Sequence, residues 1–277
     1  MIGVVIPVHG SIDSILSLLE SLSNQKKSNL FKVIVVYSGN HSNYLRLNLL
    51  KPKNFEFSAI EVESSSYWAR SIWEGVKVFI SELECSHILF MNDDIYIDSN
   101  LIANFEMLSK VGVGKNVYFS PVFDVDKEHI LSGTLNVYFS HFLIMDNLNL
   151  SQIKSNISDL ATGRCTMYPI EFFLDGGRIH YTLFPHHYAD LDLSRQAKKL
   201  GYSLLCDLQL KIFSKNDFSS SVHFGNFFKR YFHVKSPDRL ISWFSFWTLY
   251  AKTIVRVSLI QYILIVLRNL ISKARNN

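Results

Sequence analysis

Little in this 277-residue chain points to disulfides, a metal knuckle or a membrane span. Its three cysteines, Cys85, Cys165 and Cys206, form no CxxC pair and show no metal-ligand spacing. An odd count with no secretory leader implies free thiols in a reducing, cytoplasmic setting. The start, MIGVVIPVHG, has no basic region before its apolar residues and reads as a first β-strand, not a signal peptide. No GxGxxG follows that strand, so the common dinucleotide fingerprint is missing. The apolar stretch between Arg256 and Arg268 has 11 residues, well short of the ~20 that cross a bilayer.

What is present is a chain rich enough in apolar residues to bury a core. Hydrophobic residues make up 48% and aromatics 14%, which excludes a disordered chain. The net charge of +4 hides a polarity. Residues 211–277 hold 11 Lys and Arg against two Asp, whereas the first 210 residues carry a net negative charge. A mildly acidic body thus carries a basic, aromatic C-terminal region, the footprint of a negatively charged partner surface.

The first half alternates strand and helix signals. Apolar runs at 2–8, 33–37, 57–62 and 87–91 read as strands, and periodic patterns at 11–22, 67–83 and 100–111 read as helices. Residues 38–40, Ser-Gly-Asn, read as a turn. Short alternating units predict a mostly parallel sheet with helices on both faces. Ligands bind such sheets beyond the carboxyl ends of the strands. The segment SHILFMNDDIYID at 86–98 brings its apolar half into that sheet and ends on Asn92, Asp93 and Asp94 at the crevice. Adjacent carboxylates repel unless a cation neutralises them. Mg²⁺ or Mn²⁺ takes one or two carboxylates and completes its shell with water and phosphate oxygens. The plainer reading is that this pair caps a turn.

A second acidic cluster follows a loop rich in His and Tyr. Asp190 and Asp192 precede a basic amphipathic helix at 193–200 that Gly201 closes, and 202–206 looks like a strand. A helix N-terminus keeps carboxylates ionised, although capping is the commoner duty of Asp there. A metal-held Asp pair and a separate proton acceptor together suffice for group transfer from an activated donor to a hydroxyl.

In this order the motifs resemble those of inverting glycosyltransferases of the family-2, GT-A type, in the subgroup of bacterial surface-polysaccharide (O-antigen or capsule) assembly. The matching pieces are VVIPVHG at 4–10, VIVVYSGN at 33–40, YWARSIWEGVKVF at 67–79, ILFMNDDIYID at 88–98, ATGRCTMYPIEFF at 161–173 and FPHHYADLDLSRQAKKLGY at 184–202. The resemblance implies a GT-A catalytic domain at 1–210, with a nucleotide-sugar half at 1–111 and an acceptor half at 112–210. A helical region follows at 211–277. It implies Asp94 as a metal ligand, with Asp93 beside it facing the metal or the ribose, and Asp190 as the general base. Pro7, Val8, His9, Tyr37, Gly39 and Trp68 fall on the nucleotide-sugar side, with Gly75 on the helix beneath it. His186, His187 and Asp192 fall on the acceptor side. A third metal ligand is sought at His223, or at His233. Arg70, Arg164 and Arg178 are phosphate-binding or surface arginines.

Three departures from the family pattern stand out. Tyr37 and Ser38 replace the acidic pair that usually ends the second strand, so stacking of a base on Tyr37 is an alternative. Ala189 precedes Asp190 where Glu is common. Gln196 stands where the helix arginine is expected, with Arg195 one place earlier.

The C-terminal region interleaves cations with aromatics over 224–250. Nucleic acid and anionic lipid both suit such a run, and the lipid interface suits Trp243, Trp247 and Tyr250 better. Gln261, Arg268 and Arg275 recur every seven residues, a polar stripe of a helix lying in an interface. A helix packed on the catalytic domain is the alternative. The expected partners are therefore a nucleotide-sugar donor, a lipid-linked oligosaccharide acceptor and an anionic membrane, with no nucleic acid. A nucleotidyltransferase, or a catalytically silent relative serving as a membrane-bound scaffold, is the rival reading.

Overall fold

The computed structural model describes residues 1–26, 31–111, 115–125, 129–138, 143–148, 157–215, 227–251 and 263. In chain order the elements are β1 (Ile2–His9), α1 (Asp13–Ser23), β2 (Phe31–Ser38), α2 (His41–Asn48), β3 (Glu56–Val62), α3 (Trp68–Glu82), β4 (His87–Met91), β5 (Tyr96–Ile97) and α4 (Leu101–Val111). There follow β6 (Asn116–Phe119), β7 (Val122–Asp124), β8 (Ile130–Ser132), β9 (Thr134–Tyr138), β10 (Leu143–Asn147), β11 (Ile157–Ser158), β12 (Cys165–Pro169) and α5 (Ile170–Leu174). The last are α6 (Ala189–Lys199), β13 (Ser203–Cys206), β14 (Ile212–Ser214), α7 (Phe227–Phe232) and α8 (Leu240–Tyr250).

An eight-stranded sheet in the order β11-β13-β6-β12-β4-β1-β2-β3 forms the body. β1 pairs in parallel with both β2 and β4, and β2 with β3. Their unbroken apolar runs suit strands covered on both faces, and the side chains of β1 are buried from Ile2 to Val8. One core packs α3, α5, α6 and α8 against one face, and a second packs α1 and α4 against the other. Gly75 lets α3 lie close on the sheet, since a Cβ there would come within 2.5 Å of Val5 Cγ1. Gly201 has φ +85° just beyond α6, the left-handed closure that its position predicts.

The one reversal in the centre of the sheet matters most. β12 runs antiparallel to β4, with Cys165 opposite Met91. Its entry, Gly163-Arg164, therefore lies beside the exit of β4, and Asn92 N–H donates to the Arg164 carbonyl at 3.0 Å.

The division expected at residue 210 needs correction. β14 pairs with β5 and β7 in a four-stranded sheet. Phe246 and Trp247 of α8 are 0% and 1% exposed within the core that includes α6 residues. Trp247 and Tyr250 are therefore not free to sit in a bilayer: Trp247 is inside the protein, and the Tyr250 hydroxyl is bound to Asp192. Ile263 packs against the same core. The stripe of Gln261, Arg268 and Arg275 lies outside the described residues. No helix among those described is long and apolar enough to cross a membrane. The three cysteines are free and buried.

Candidate active site

A cleft of about 520 Å³ opens at the carboxyl ends of the parallel strands, where crevices of such sheets form. β1 contributes Pro7, Val8 and His9, and β2 contributes Ser38. Ser66, Tyr67, Trp68 and Ser71 come from the start of α3 and the loop before it, and Asn92, Asp93 and Asp94 from the end of β4. Gly163 and Arg164 precede β12; His186, His187 and Asp190 come from the approach to α6 and its first turn; Lys235 comes from the segment between α7 and α8.

Asp190 reaches this cleft through a short chain of hydrogen bonds. One carboxylate oxygen accepts from Gly163 N–H and the other from Leu191 N–H, both at 2.9 Å. Gly163 is followed by Arg164, whose carbonyl accepts from Asn92 N–H at 3.0 Å, and Asn92 precedes the carboxylate pair. The Asn92 side chain accepts from Trp68 Nε1 at 2.9 Å. A Cβ at position 163 would meet Trp68 at 2.9 Å and the Asp190 Cβ at 3.0 Å, so only glycine lets the three approach. Tyr188, the N-cap of α6, has φ 72°, a conformation that costs a non-glycine residue on the order of 1–3 kcal/mol. It turns the chain sharply before Asp190. The loop is also held from α3, where Ala69 N–H donates to the Pro185 carbonyl at 3.1 Å.

The charges respond to this enclosure. Burial, then the neighbouring Asp94, pushes the Asp93 carboxyl up to about 6. Burial raises Asp190 above the ordinary carboxylate value, against the pull of the Gly163 and Leu191 N–H groups. Burial, with help from His187 and Lys235, lowers His186 to about 4, so its ring is neutral at physiological pH. His187 and His9 are also lowered, chiefly by burial. His9 Nδ1 lies 3.0 Å from Ser38 Oγ.

The donor set fits a hard divalent ion. Asp93 and Asp94 are adjacent carboxylates in the cleft lining, and burial first and the Asp94 charge second disfavour the ionised form of Asp93, both of which a cation offsets. No group of three His, Cys, Asp or Glu suited to a metal occurs among the described residues. Such a pair suits Mg²⁺ or Mn²⁺ completed by phosphate and water, not a closed protein cage.

Pro7, Val8, His9, Trp68, Asp93, Asp94, His186, His187 and Asp190 thus line one cleft. Others stand elsewhere. Tyr37 is 0% exposed, donates to the Gly10 carbonyl at 2.7 Å and accepts from Asn40 N–H at 3.1 Å. A buried ring tied at its hydroxyl cannot stack on a base, so that expectation is overturned. Gly39 packs on Tyr37, and a Cβ there would meet its hydroxyl at 2.5 Å. Asp192 is 0% exposed and fully engaged: it accepts from Gln196 Nε2 at 2.8 Å and from the Tyr250 hydroxyl, and His180 Nδ1 lies at 2.9 Å. It anchors α8 to α6 and cannot meet an acceptor. Arg178 donates to the carbonyls of Phe173 and Gly177, and Arg70 pairs with Glu63. His233 accepts locally from Lys235 N–H at 3.2 Å. His223 lies outside the described residues.

Gly163, Ser66 and Lys235 were not singled out from sequence, and Asn92 was placed at the crevice without a role. Asn92 and Gly163 sit inside quoted motifs and were legible there. Ser66 is 2% exposed and its hydroxyl has no partner among the described residues, which leaves a cleft-wall donor for a ligand. Nothing in the sequence marks it.

No protein-family model matches the chain, and no curated protein matches it. Solved structures do. TarS 1–349 of S. aureus shares 17% identity and a TM-score of 0.52, over 77% of this chain and 60% of that one. GalNAc-T7 with UDP, GalNAc and Mn²⁺ shares 12% and a TM-score of 0.58, over 78% and 44%. The mannosyltransferase PcManGT from Pyrobaculum calidifontis, with GDP-Man and Mn²⁺, shares 14% and a TM-score of 0.53, over 77% and 56%. The match spans less than two thirds of each of these chains. At such identity the likeness is one of architecture, and the architecture is that of GT-A glycosyltransferases.

Proposed function

We propose that the chain is a glycosyltransferase that moves a sugar from a nucleotide-sugar donor to a glycan hydroxyl with inversion. The observation that carries the reading is the bonded path Asp190–Gly163–Arg164–Asn92, which ties a proton acceptor to the carboxylate pair across one cleft. Neighbours of the same architecture hold UDP-GlcNAc, or GDP-Man with Mn²⁺. Residues 1–111 supply the donor side on this reading, and the loop before α6 with its first turn supplies the acceptor side.

Asp93 and Asp94 are the residues that would hold Mn²⁺ or Mg²⁺. Bound there, the ion supplies Lewis-acid neutralisation of a departing diphosphate. Asp190 accepts the proton of the attacking hydroxyl. Its raised proton affinity suits that task, and the two N–H bonds hold the carboxylate still. The acceptor oxygen bonds to the anomeric carbon as the bond from that carbon to the diphosphate oxygen breaks. His186 and His187, neutral beside Asp190, line the acceptor approach. Asp190→Asn keeps the size of the side chain but removes the base, together with one of the two acceptors that the Gly163 and Leu191 N–H groups use. Transfer from a nucleotide-sugar panel with Mn²⁺ is expected to fall roughly 10²–10⁴-fold, with binding of the nucleoside diphosphate kept. Unchanged turnover would remove Asp190 from the reaction.

A lipid-linked acceptor at the cytoplasmic face of the cell membrane, as in surface-polysaccharide synthesis, belongs to the same proposal. Phe232, Ile241, Phe244 and Leu249 are exposed on α7 and α8, beside Lys229 and Arg230. An apolar face bordered by cations suits anionic lipid. Sedimentation with anionic and neutral liposomes checks it; full recovery in the supernatant with both would exclude membrane contact.

A further inference from the structure

The segment between α7 and α8 crosses to the cleft and is held there along its backbone. His187 Nε2 donates to the Lys235 carbonyl at 3.1 Å. Ser236 N–H donates to the His233 carbonyl at 3.1 Å, and Arg239 N–H to the Ser236 carbonyl at 3.2 Å. The Ser236 side chain is 0% exposed, donates to the Arg230 carbonyl and accepts from Asp238 N–H. Position 235 is therefore fixed on both sides.

The Lys235 side chain behaves differently. It is exposed and lines the cleft, and among the described residues no carboxylate lies within ion-pair distance of its ammonium. An exposed lysine is usually a solvated one. This one stands on a pinned backbone at the wall of a cavity. It lines the same cleft as His186, His187 and the end of β1, and its charge adds to burial in lowering both His186 and His9. The other charged side chains lining the cleft are three carboxylates and Arg164, whose guanidinium donates to Ser214 Oγ at 2.9 Å; the excess of carboxylates is an awkward setting for an anionic ligand.

We infer that Lys235 is a diphosphate-binding residue, delivered by the α7–α8 segment to compensate the negative charge that forms on the donor's leaving group. The inference rests on the nucleotide-sugar reading above. As the sugar–oxygen bond breaks, its electron pair goes to the diphosphate oxygen, and an ammonium nearby stabilises that charge more in the transition state than in the ground state. No proton need move from the lysine.

The test uses the full chain with Mn²⁺. Binding of UDP, GDP, CDP and dTDP is measured for wild type, Lys235→Ala and Lys235→Arg, with the corresponding nucleosides, inorganic pyrophosphate and farnesyl diphosphate as further probes. For whichever nucleoside diphosphate binds wild type, Lys235→Ala is expected to weaken it about tenfold, a charge-assisted contact. Lys235→Arg should stay within about threefold, nucleoside binding should not move, and the ligand-free melting temperature should hold because the side chain is exposed. Equal affinity of wild type and Lys235→Ala for the nucleoside diphosphate overturns this inference alone. So does a loss confined to farnesyl diphosphate, which would assign the lysine to the acceptor. Failure of wild type to bind any nucleoside diphosphate overturns the donor reading, and this inference with it.

Discussion

Residues 1–111 and residues 227–251 both reach the cleft, but by different physics. The first region delivers Val8, His9 and Asp93 from the ends of buried parallel strands, whose positions the whole sheet dictates. The second delivers Lys235 from a loop whose place depends on α8 docking against α6. That docking uses an inserted pair, Phe246 and Trp247, and one polar anchor, the Tyr250 hydroxyl on buried Asp192. Arg195 and Lys199 lie against the face of the same tyrosine at 5.8 Å and 4.6 Å, a pair of cation–π contacts. A basic aromatic segment thus has two faces with two duties. Its inner aromatics complete the packed body of the fold, and only its outer ones remain for another surface.

The sharpest way to break this contrast is Trp247→Ala. A ring buried in the core should cost about 3–5 kcal/mol when removed, read as a large fall in denaturation midpoint. A helix resting only on lipid would show almost none in detergent-free buffer. Gly163→Ala comes next and probes the other region. The added methyl has nowhere to go between Trp68 and Asp190, and a displacement near 1 Å in such a site costs roughly 10²-fold in rate. Turnover should drop by that order while nucleoside diphosphate affinity changes little; equal loss of both would mean that the strand-end framework itself had moved.

A smaller effect separates the carboxylate pair from the rest of the cleft. Asp93 takes up its proton near pH 6. As pH falls through that value the pair loses a charge, so Mn²⁺ affinity should weaken by up to about tenfold per unit below it. Above pH 6 the affinity should level off. Asp93→Asn should bind Mn²⁺ more weakly at pH 7 and with a flatter pH profile. A wild-type profile already flat from pH 5 to 7 would show that the ion sits elsewhere.

Much of the first region was legible because its strands are long apolar runs and its helices are strongly periodic. The strand predicted at 87–91 is β4, residue for residue, and the helix at 67–83 is α3 to within one residue at each end. The helix predicted at 193–200 starts earlier, at Ala189, because its first turn is filled by the acidic residues themselves. Residues 112–160 carried few signals, and the described part holds short strands of two to five residues, too brief to show a period. Asp192 and Tyr37 looked like site residues because their motif positions do not tell which way a side chain faces.

Local sequence therefore determined which residues form strands and helices and where the acidic motifs fall along the chain, since both follow from short-range apolar periodicity and side-chain chemistry. Tertiary structure alone decided that β12 enters antiparallel beside β4, that Asp192 turns inward while Asp190 turns out, and that Lys235 returns to the cleft. Those outcomes depend on pairings between residues tens of positions apart, and a hydrogen bond or a buried ring across such a distance leaves no periodic trace in the chain.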